Sequence, residues 1–266
     1  MGRGKMKNLK DKLKNLELIL ISAIALVTPS CDNSYTLHRE ALEKYTPITK
    51  EQKDSLFNNL NSGLKEYINK IYFIDEKDFF EDNILAHAHR EDQIICLSKN
   101  YKNYSDGTLF HESAHLRHDA LDNIGFHFSE KWKQIADFEY GEENTKSYYD
   151  LSNKLILIEW EDRTIGPKKG CLTPSSAKSI FEDVANFVEC LGHRKISKQI
   201  KEFYEKGDNF LISLYPLYFA DTTDKRYRQK LDLLKEYNFL TKEEHEKLSK
   251  NLGSLNYLLK EKGNEK

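Results

Sequence analysis

Residues His111-Glu112-Ser113-Ala114-His115 place two histidines four positions apart with a glutamate after the first. On an α-helix, positions i and i+4 stand one above the other on a single face, so both imidazoles can reach one metal ion from the same side. Glu112 is turned about 100° from His111 around the axis, toward where a metal-bound water would lie. The segment suits a helix. Leu109 to Leu121 contains no proline, and Ser105 and Asp106 are candidate caps. The competing account is a solvated polar helix face. The pattern therefore constrains the fold. A catalytic zinc takes three protein ligands and leaves one position open, so a third ligand must come from elsewhere in the chain.

The N-terminus has a different character. Arg3, Lys5, Lys7, Lys10, Lys12 and Lys14 face a single acid, Asp11, before the mostly apolar run Leu16 to Val27. A basic start followed by about twelve apolar residues resembles a secretory signal. The run is short of the roughly 20 residues that span a bilayer. It ends at Thr28-Pro29-Ser30-Cys31, similar to the bacterial lipoprotein signal, whose cysteine is lipidated and becomes the first residue. Thr28 stands where that signal usually has leucine, and Pro29 is unusual there. An uncleaved anchor, or cleavage elsewhere, is the alternative. The expected organisation is a signal peptide over 1–30, a polar tether over 31–50 beginning at lipidated Cys31, and one domain over 51–266. The setting is an exported membrane lipoprotein, periplasmic or at the cell surface.

Residues 1–30 hold six Lys/Arg and two Asp/Glu, so their removal takes the net charge from −2 to −6. An acidic chain lacks the basic footprint of a nucleic-acid partner. Three cysteines remain: Cys96, Cys171 and Cys190. Export permits a disulfide, with Cys171 and Cys190 nearest in sequence, and leaves free thiols equally open. No CxxC spacing points to thiolate-bound zinc.

Leu56, Leu60, Leu64 and Ile68 predict a helix over 50–70. Ile71–Ile74, Ile84–His89 and Gln93–Ser98 read as strands, the last two joined as a hairpin through Arg90-Glu91-Asp92. After the motif helix, Phe128–Tyr140 is helical. Leu151–Trp160 is ambiguous, and 166–170 is a loop. Phe181, Val184, Ala185, Val188 and Leu191 form the apolar stripe of a helix ended by Gly192. Helices are also expected over 196–206, 210–220 with Pro216 inside, 223–237, and 242–260 behind a Thr241–Glu244 capping box. The expected fold class is α+β: a small twisted sheet packed on the motif helix, with a mostly helical C-terminal half. An edge strand, 93–98 or 84–89, can hold an extended peptide by backbone pairing.

For the third ligand, Glu182, Asn186 and Glu189 share the polar face of the 181–191 helix. Glu182 is the leading candidate and Glu189 the fallback. Against Glu182 stands a capping box opened by Ser179, in which its carboxylate would close the helix start. The HExxHxxGxxH spacing is absent, since His118 and Leu121 occupy its last two positions; His118 reads as a supporting or exposed residue. His87 and His89, at i and i+2, read as a polar strand face, and Tyr148 and Tyr149 as packing residues.

Gly170-Cys171-Leu172-Thr173-Pro174-Ser175-Ser176-Ala177, followed by Glu182-Asp183-Val184-Ala185-Asn186, resembles a group of secreted bacterial zincin metallopeptidases related in layout to the anthrax lethal factor catalytic domain. The resemblance runs over about residues 70–240, to Lys235-Glu236-Tyr237-Asn238-Phe239. It implies a zincin-like fold, Zn²⁺ held by His111, His115 and Glu182, Glu112 as general base, and a peptide or protein substrate. Two positions depart from the pattern. Asn186 replaces its second glutamate, and Ser175 stands in place of a loop tyrosine that would assist the oxyanion. Two expectations follow: a zinc peptidase, or a zincin-fold surface lipoprotein that binds without cleaving.

Overall fold

Thr49 and Gln52 exchange the reciprocal hydrogen bonds of a capping box and start α1 (Lys50–Phe57). The computed structural model describes residues 42–75, 86–99, 107–141, 170–173, 175–193, 195, 197–206 and 215–259. The expected signal segment 1–30, Cys31, Ser105, Asp106, Tyr148, Tyr149 and the stretch 151–160 lie outside the described residues.

The helix expected over 50–70 is two helices. Asn61 caps α2 (Ser62–Lys65) by accepting from the Leu64 N–H, and the chain leaves helical geometry between Asn58 and Asn61. Asparagine side chains compete for backbone hydrogen bonds and favour such breaks. Gly63 lets α2 approach the turn at Asn238, whose carbonyl a Cβ would overlap. Arg117 spans the same junction, donating to the carbonyls of Gly63 at 2.6 Å and Tyr237 at 2.9 Å.

The sheet is mixed, with order β1 (Lys70–Ile74), β3 (Ile94–Ser98), β2 (Ala86–His89). β1 runs parallel to β3, and β2 pairs antiparallel to it as the expected hairpin. All five residues of β3 are buried, as befits a central strand covered on both faces. β2 alternates: Ala86 and Ala88 are buried, His87 and His89 half-buried. Of the two edge candidates, 94–98 is therefore central, and Ala86–His89 is at the edge among the described residues.

The motif helix α3 (Gly107–Asn123) lies between β2 on one side and α5 (Ile180–Glu189) on the other. α4 (Phe128–Ala136) stops where Asp137 turns left-handed, short of the expected Tyr140. After α5 come a 3₁₀ turn (Cys190–Gly192), α6 (Ser197–Glu205), α7 (Pro216–Phe219), α8 (Lys225–Glu236) and α9 (Lys242–Asn251). Pro216 begins α7 instead of sitting inside a longer helix, because its ring suits the first turn. α9 opens with the expected Thr241–Glu244 capping box but ends at Asn251. There Gly253 adopts a positive φ of 65° and its N–H turns to the Leu217 carbonyl.

The main core joins Leu64, Ile71, Ile95, Leu97, Ala114, Leu116, Phe128, Trp132, Val184, Phe187, Leu234 and Phe239. Cys96, Cys171 and Cys190 are buried free thiols, so Cys171 and Cys190 are not bridged. No helix among the described residues is long and apolar enough to cross a membrane.

One ion pair is sealed in this core. Lys230 and Asp183 are both fully buried, with Lys230 Nζ 2.5 Å from Asp183 Oδ2 and 3.0 Å from the Gly170 carbonyl. Trp132 Nε1 and the Tyr140 hydroxyl donate to the same carboxylate oxygen at 2.8 and 2.6 Å. Removing one member of a buried pair strands the other charge. Lys230→Met is expected to lower the unfolding free energy by about 3–5 kcal/mol in urea titrations. A loss under about 1 kcal/mol would show that Trp132 and Tyr140 satisfy Asp183 unaided.

Candidate metal centre

The α-helical period brings His111 and His115 together on α3, with ring centroids 4.8 Å apart. Their face is turned inward. His111 is 4 % exposed, Glu112 1 % and His115 1 %, which rules out a solvated helix face. Glu182, fully buried, meets them from α5. Its Oε2 lies 3.6 Å from His111 Nε2 and its Oε1 3.6 Å from His115 Nε2. The three ligand atoms all lie within 4.8 Å of one another, the only such group of three or more among the described residues. Ligands about 2.0–2.1 Å from a tetrahedral ion stand about 3.3–3.4 Å apart. The spacing therefore suits a single ion.

The capping question at Glu182 resolves into two separate parts of one residue. Ser179 Oγ accepts from the Glu182 N–H at 3.2 Å, capping α5, while the Glu182 carboxylate reaches the histidines. Glu189, two turns along α5, has another place. Its Oε2 lies 3.0 Å from His111 Nδ1, on the far side of the ring from Glu182. It can accept the Nδ1 proton, which turns the opposite ring nitrogen, Nε2, toward Glu182. Asn186, between the two acids, donates to the Glu182 carbonyl at 2.6 Å and so braces the turn that presents the ligand.

Glu112 lies between this group and the sheet edge, in hydrogen-bond contact with the Ala88 backbone of β2. Its Oε2 is buried with no hydrogen-bond partner among the described residues. Burial pushes the Glu112 carboxyl up to about 7, opposed by His111 and reinforced by Glu182 and Glu189. Burial pulls His115 well below the usual histidine range, and the neighbouring His111 adds to this. Burial alone would lower His111 too, but hydrogen bonds to Glu182 and Glu189 hold it well above that range. Glu112, Glu182 and the two imidazoles share one buried space, and buried charge is normally paired or bound to metal. The donor set, its burial and the directed His111 Nε2 thus fit a divalent ion.

His118 faces elsewhere. Its Nε2 lies 2.7 Å from Ser129 Oγ and its ring stacks on Phe181 at 4.1 Å. It is buried, so it is not the exposed residue the sequence allowed, and the partners shown for it are Ser129, Asp122 and Phe181, not the candidate ligands. Asp122 accepts from the Ser129 hydroxyl at 2.5 Å. Burial acts to raise the Asp122 carboxyl, but hydrogen bonds from His118 and Ser129 outweigh it and hold it at about 2, below the ordinary 3.8. A depressed carboxyl contributes stability above its unfolded value and loses it as pH falls through its folded value. The stability difference between wild type and Asp122→Asn should accordingly be full above pH 3.8 and shrink as pH falls toward 2. A difference in urea midpoint that is flat across this window would remove these hydrogen bonds to the Asp122 carboxylate as its cause.

His87 and His89 meet edge to face at 4.8 Å and are half-buried, less open than the polar strand face expected of them. Ser175 Oγ pairs with Thr173 Oγ1 at 2.8 Å and lies 3.4 Å from Asn186 Nδ2. The roles of Glu189 and Asn186 as braces were not read from the sequence, although their i+7 and i+4 spacing from Glu182 carried the signal.

Fold and site together define an α+β chain with a buried His-His-Glu constellation of metal-ligand geometry. Beyond that class the chain stands apart: no family model, no curated protein and no solved structure matches it significantly.

Proposed function

We propose that the protein is a zinc-dependent peptidase of the zincin type, acting on peptide or protein substrates outside the cytoplasm. The observation that carries this reading is the convergence of His111, His115 and Glu182 on one buried point, with the Glu112 carboxylate beside them. Two imidazoles and one carboxylate suit Zn²⁺ and leave a tetrahedral position open. When bound, the metal supplies a water with its pKa lowered to about 7 and polarises the scissile carbonyl.

The chain's own groups do the rest. Glu112 Oε2 accepts the proton of the attacking water and returns it to the leaving amine. Glu189 and Asn186 hold His111 and the Glu182 turn in register. The edge of β2 offers backbone groups to an extended substrate directly above α3. The test is zinc content of the purified full-length chain together with turnover of a peptide library, with and without a chelator. Stoichiometric zinc with chelator-sensitive cleavage is the expected result. A chain without zinc overturns the reading.

A non-catalytic binding role on the same fold has one observation in its favour. The hydroxyl of Ser175, where the resembling enzymes carry a tyrosine, is engaged by Thr173. Stoichiometric zinc without cleavage of any library peptide would select this role.

The proposed lipid anchor rests on Cys31 after its basic and apolar leader. Cys31→Ala is expected to abolish incorporation of a clickable fatty acid and to release the chain from membranes. Undiminished labelling would place the anchor elsewhere or remove it.

A further inference from the structure

His87 and His89 take no part in the centre on α3. Alternate residues of a strand point to opposite faces of the sheet. Ala86 and Ala88 pair with Leu97 and Ile95 and join the main core beside α3. His87 and His89 pair with Cys96 and Ile94, on the face that holds Leu42, Tyr72 and Ile74. The sheet therefore separates this histidine pair from His111 and His115.

Two histidines on a solvated strand face have no reason to converge. These two do, with ring centroids 4.8 Å apart and planes at 88°. His111 and His115 stand at the same 4.8 Å, with planes at 78°. Bonds of about 2.0 Å from one ion to two imidazole nitrogens put the ring centroids about 4.5–5.1 Å apart, from square-planar to tetrahedral angles. The β2 pair fits that window. Edge-to-face packing allows about 4.5–7 Å, so distance alone does not select a metal. His89 Nε2 supplies the second observation: it is buried with no hydrogen-bond partner among the described residues. A buried nitrogen left unpaired costs free energy, which a bound cation recovers.

Both rings are neutral at pH 7, the form that ligates a metal. Burial draws His87 down to about 4, with His89 and Arg90 adding to it. Burial lowers His89 as well, against the opposing pull of Asp92. Arg90 disfavours a cation here and Asp92 favours one, so the two imidazoles decide.

We propose that His87 and His89 form a second metal site, chelating a divalent transition-metal ion through two imidazoles, with water in the remaining positions. Imidazole suits Cu²⁺, Ni²⁺ and Zn²⁺, and a nitrogen site prefers Cu²⁺ among them. A bound ion braces β2, whose Ala88 backbone meets Glu112. The site is independent of the peptidase reading.

The probe is Cu²⁺ alone, titrated calorimetrically into the full-length His115→Ala/Glu182→Ala chain, in which the α3 centre has lost two of its three ligands. One Cu²⁺ should bind, and its electron paramagnetic resonance should carry the splitting of two imidazole nitrogens. Wild type loaded with one Zn²⁺ should give the same signal with the zinc retained. Adding His87→Gln or His89→Gln should weaken Cu²⁺ about 10²-fold, the loss of a chelate. His127 beside Glu130 and His245 beside Asp232 are the rival ligands.

An affinity unmoved by either glutamine overturns the proposal, since the ion then sits elsewhere. So does a chain that binds no Cu²⁺, or a spectrum with a single imidazole. The nitrogen count is taken with β2 intact, so it decides even where a glutamine variant fails to fold. A wild type that holds Cu²⁺ on β2 but takes no zinc leaves this site standing and overturns the peptidase reading.

Discussion

His115→Ala is expected to abolish stoichiometric zinc binding by the purified chain, and Glu182→Ala to do the same. Each removes one of the three side chains that converge on the site among the described residues, and a catalytic zinc needs all three. Glu189 has the right chemistry to replace Glu182, but it is on the other side of the His111 ring, at Nδ1. Glu189→Gln should thus retain one zinc and weaken it by about 10–100-fold, the usual cost of losing the partner that fixes a ligating imidazole. Metal content after gel filtration, and competition with a chelating dye, separate these cases. Retention of one tightly held zinc in Glu182→Ala, with its loss in Glu189→Gln, would exchange the roles of the two acids. His118→Ala should leave zinc untouched, because its Nε2 is engaged by Ser129.

Glu112→Gln is expected to produce the second large effect, and on a different quantity. Glu112 is not among the three converging ligand atoms, so its amide replacement should leave zinc bound. Its Oε2 is buried and without a hydrogen-bond partner among the described residues, ready to accept a proton. Gln keeps the size and removes the base, so turnover of a cleavable peptide should fall by about 10² or more. The measurement is zinc content and kcat on one peptide for both proteins. Equal turnover with zinc retained would dismiss Glu112 as the base. The hydrogen bond with the Ala88 backbone gives Glu112 a structural duty as well, so thermal midpoints of both proteins belong in the comparison.

Several elements could be read in advance because their causes are local. The β2–β3 hairpin follows from two apolar runs around Arg90-Glu91-Asp92. The helix start at Thr241 follows from a side chain that satisfies the N–H three residues on. The readings that failed concern lengths. The helix over 50–70 breaks because Asn61 caps a second helix that docks on Asn238, far along the chain. α9 stops at Asn251 because the Gly253 N–H finds Leu217. In both cases a tertiary partner outbid the continuing helix.

The pairing of His111 with His115 was determined by the sequence alone. The 3.6-residue period fixes which side chains share a face, whatever surrounds the helix. The sequence equally put Glu182 and Glu189 on one face of α5, and there its authority ended. Which acid reaches both histidines depends on how far α5 is displaced along α3, a matter of packing between Ala114, Val184, Ala185 and Val188. Tertiary packing also buried Glu112 against β2. Periodicity is a property of neighbours in the chain. Register between helices, and the burial and charge that follow from it, exist only once distant segments have met.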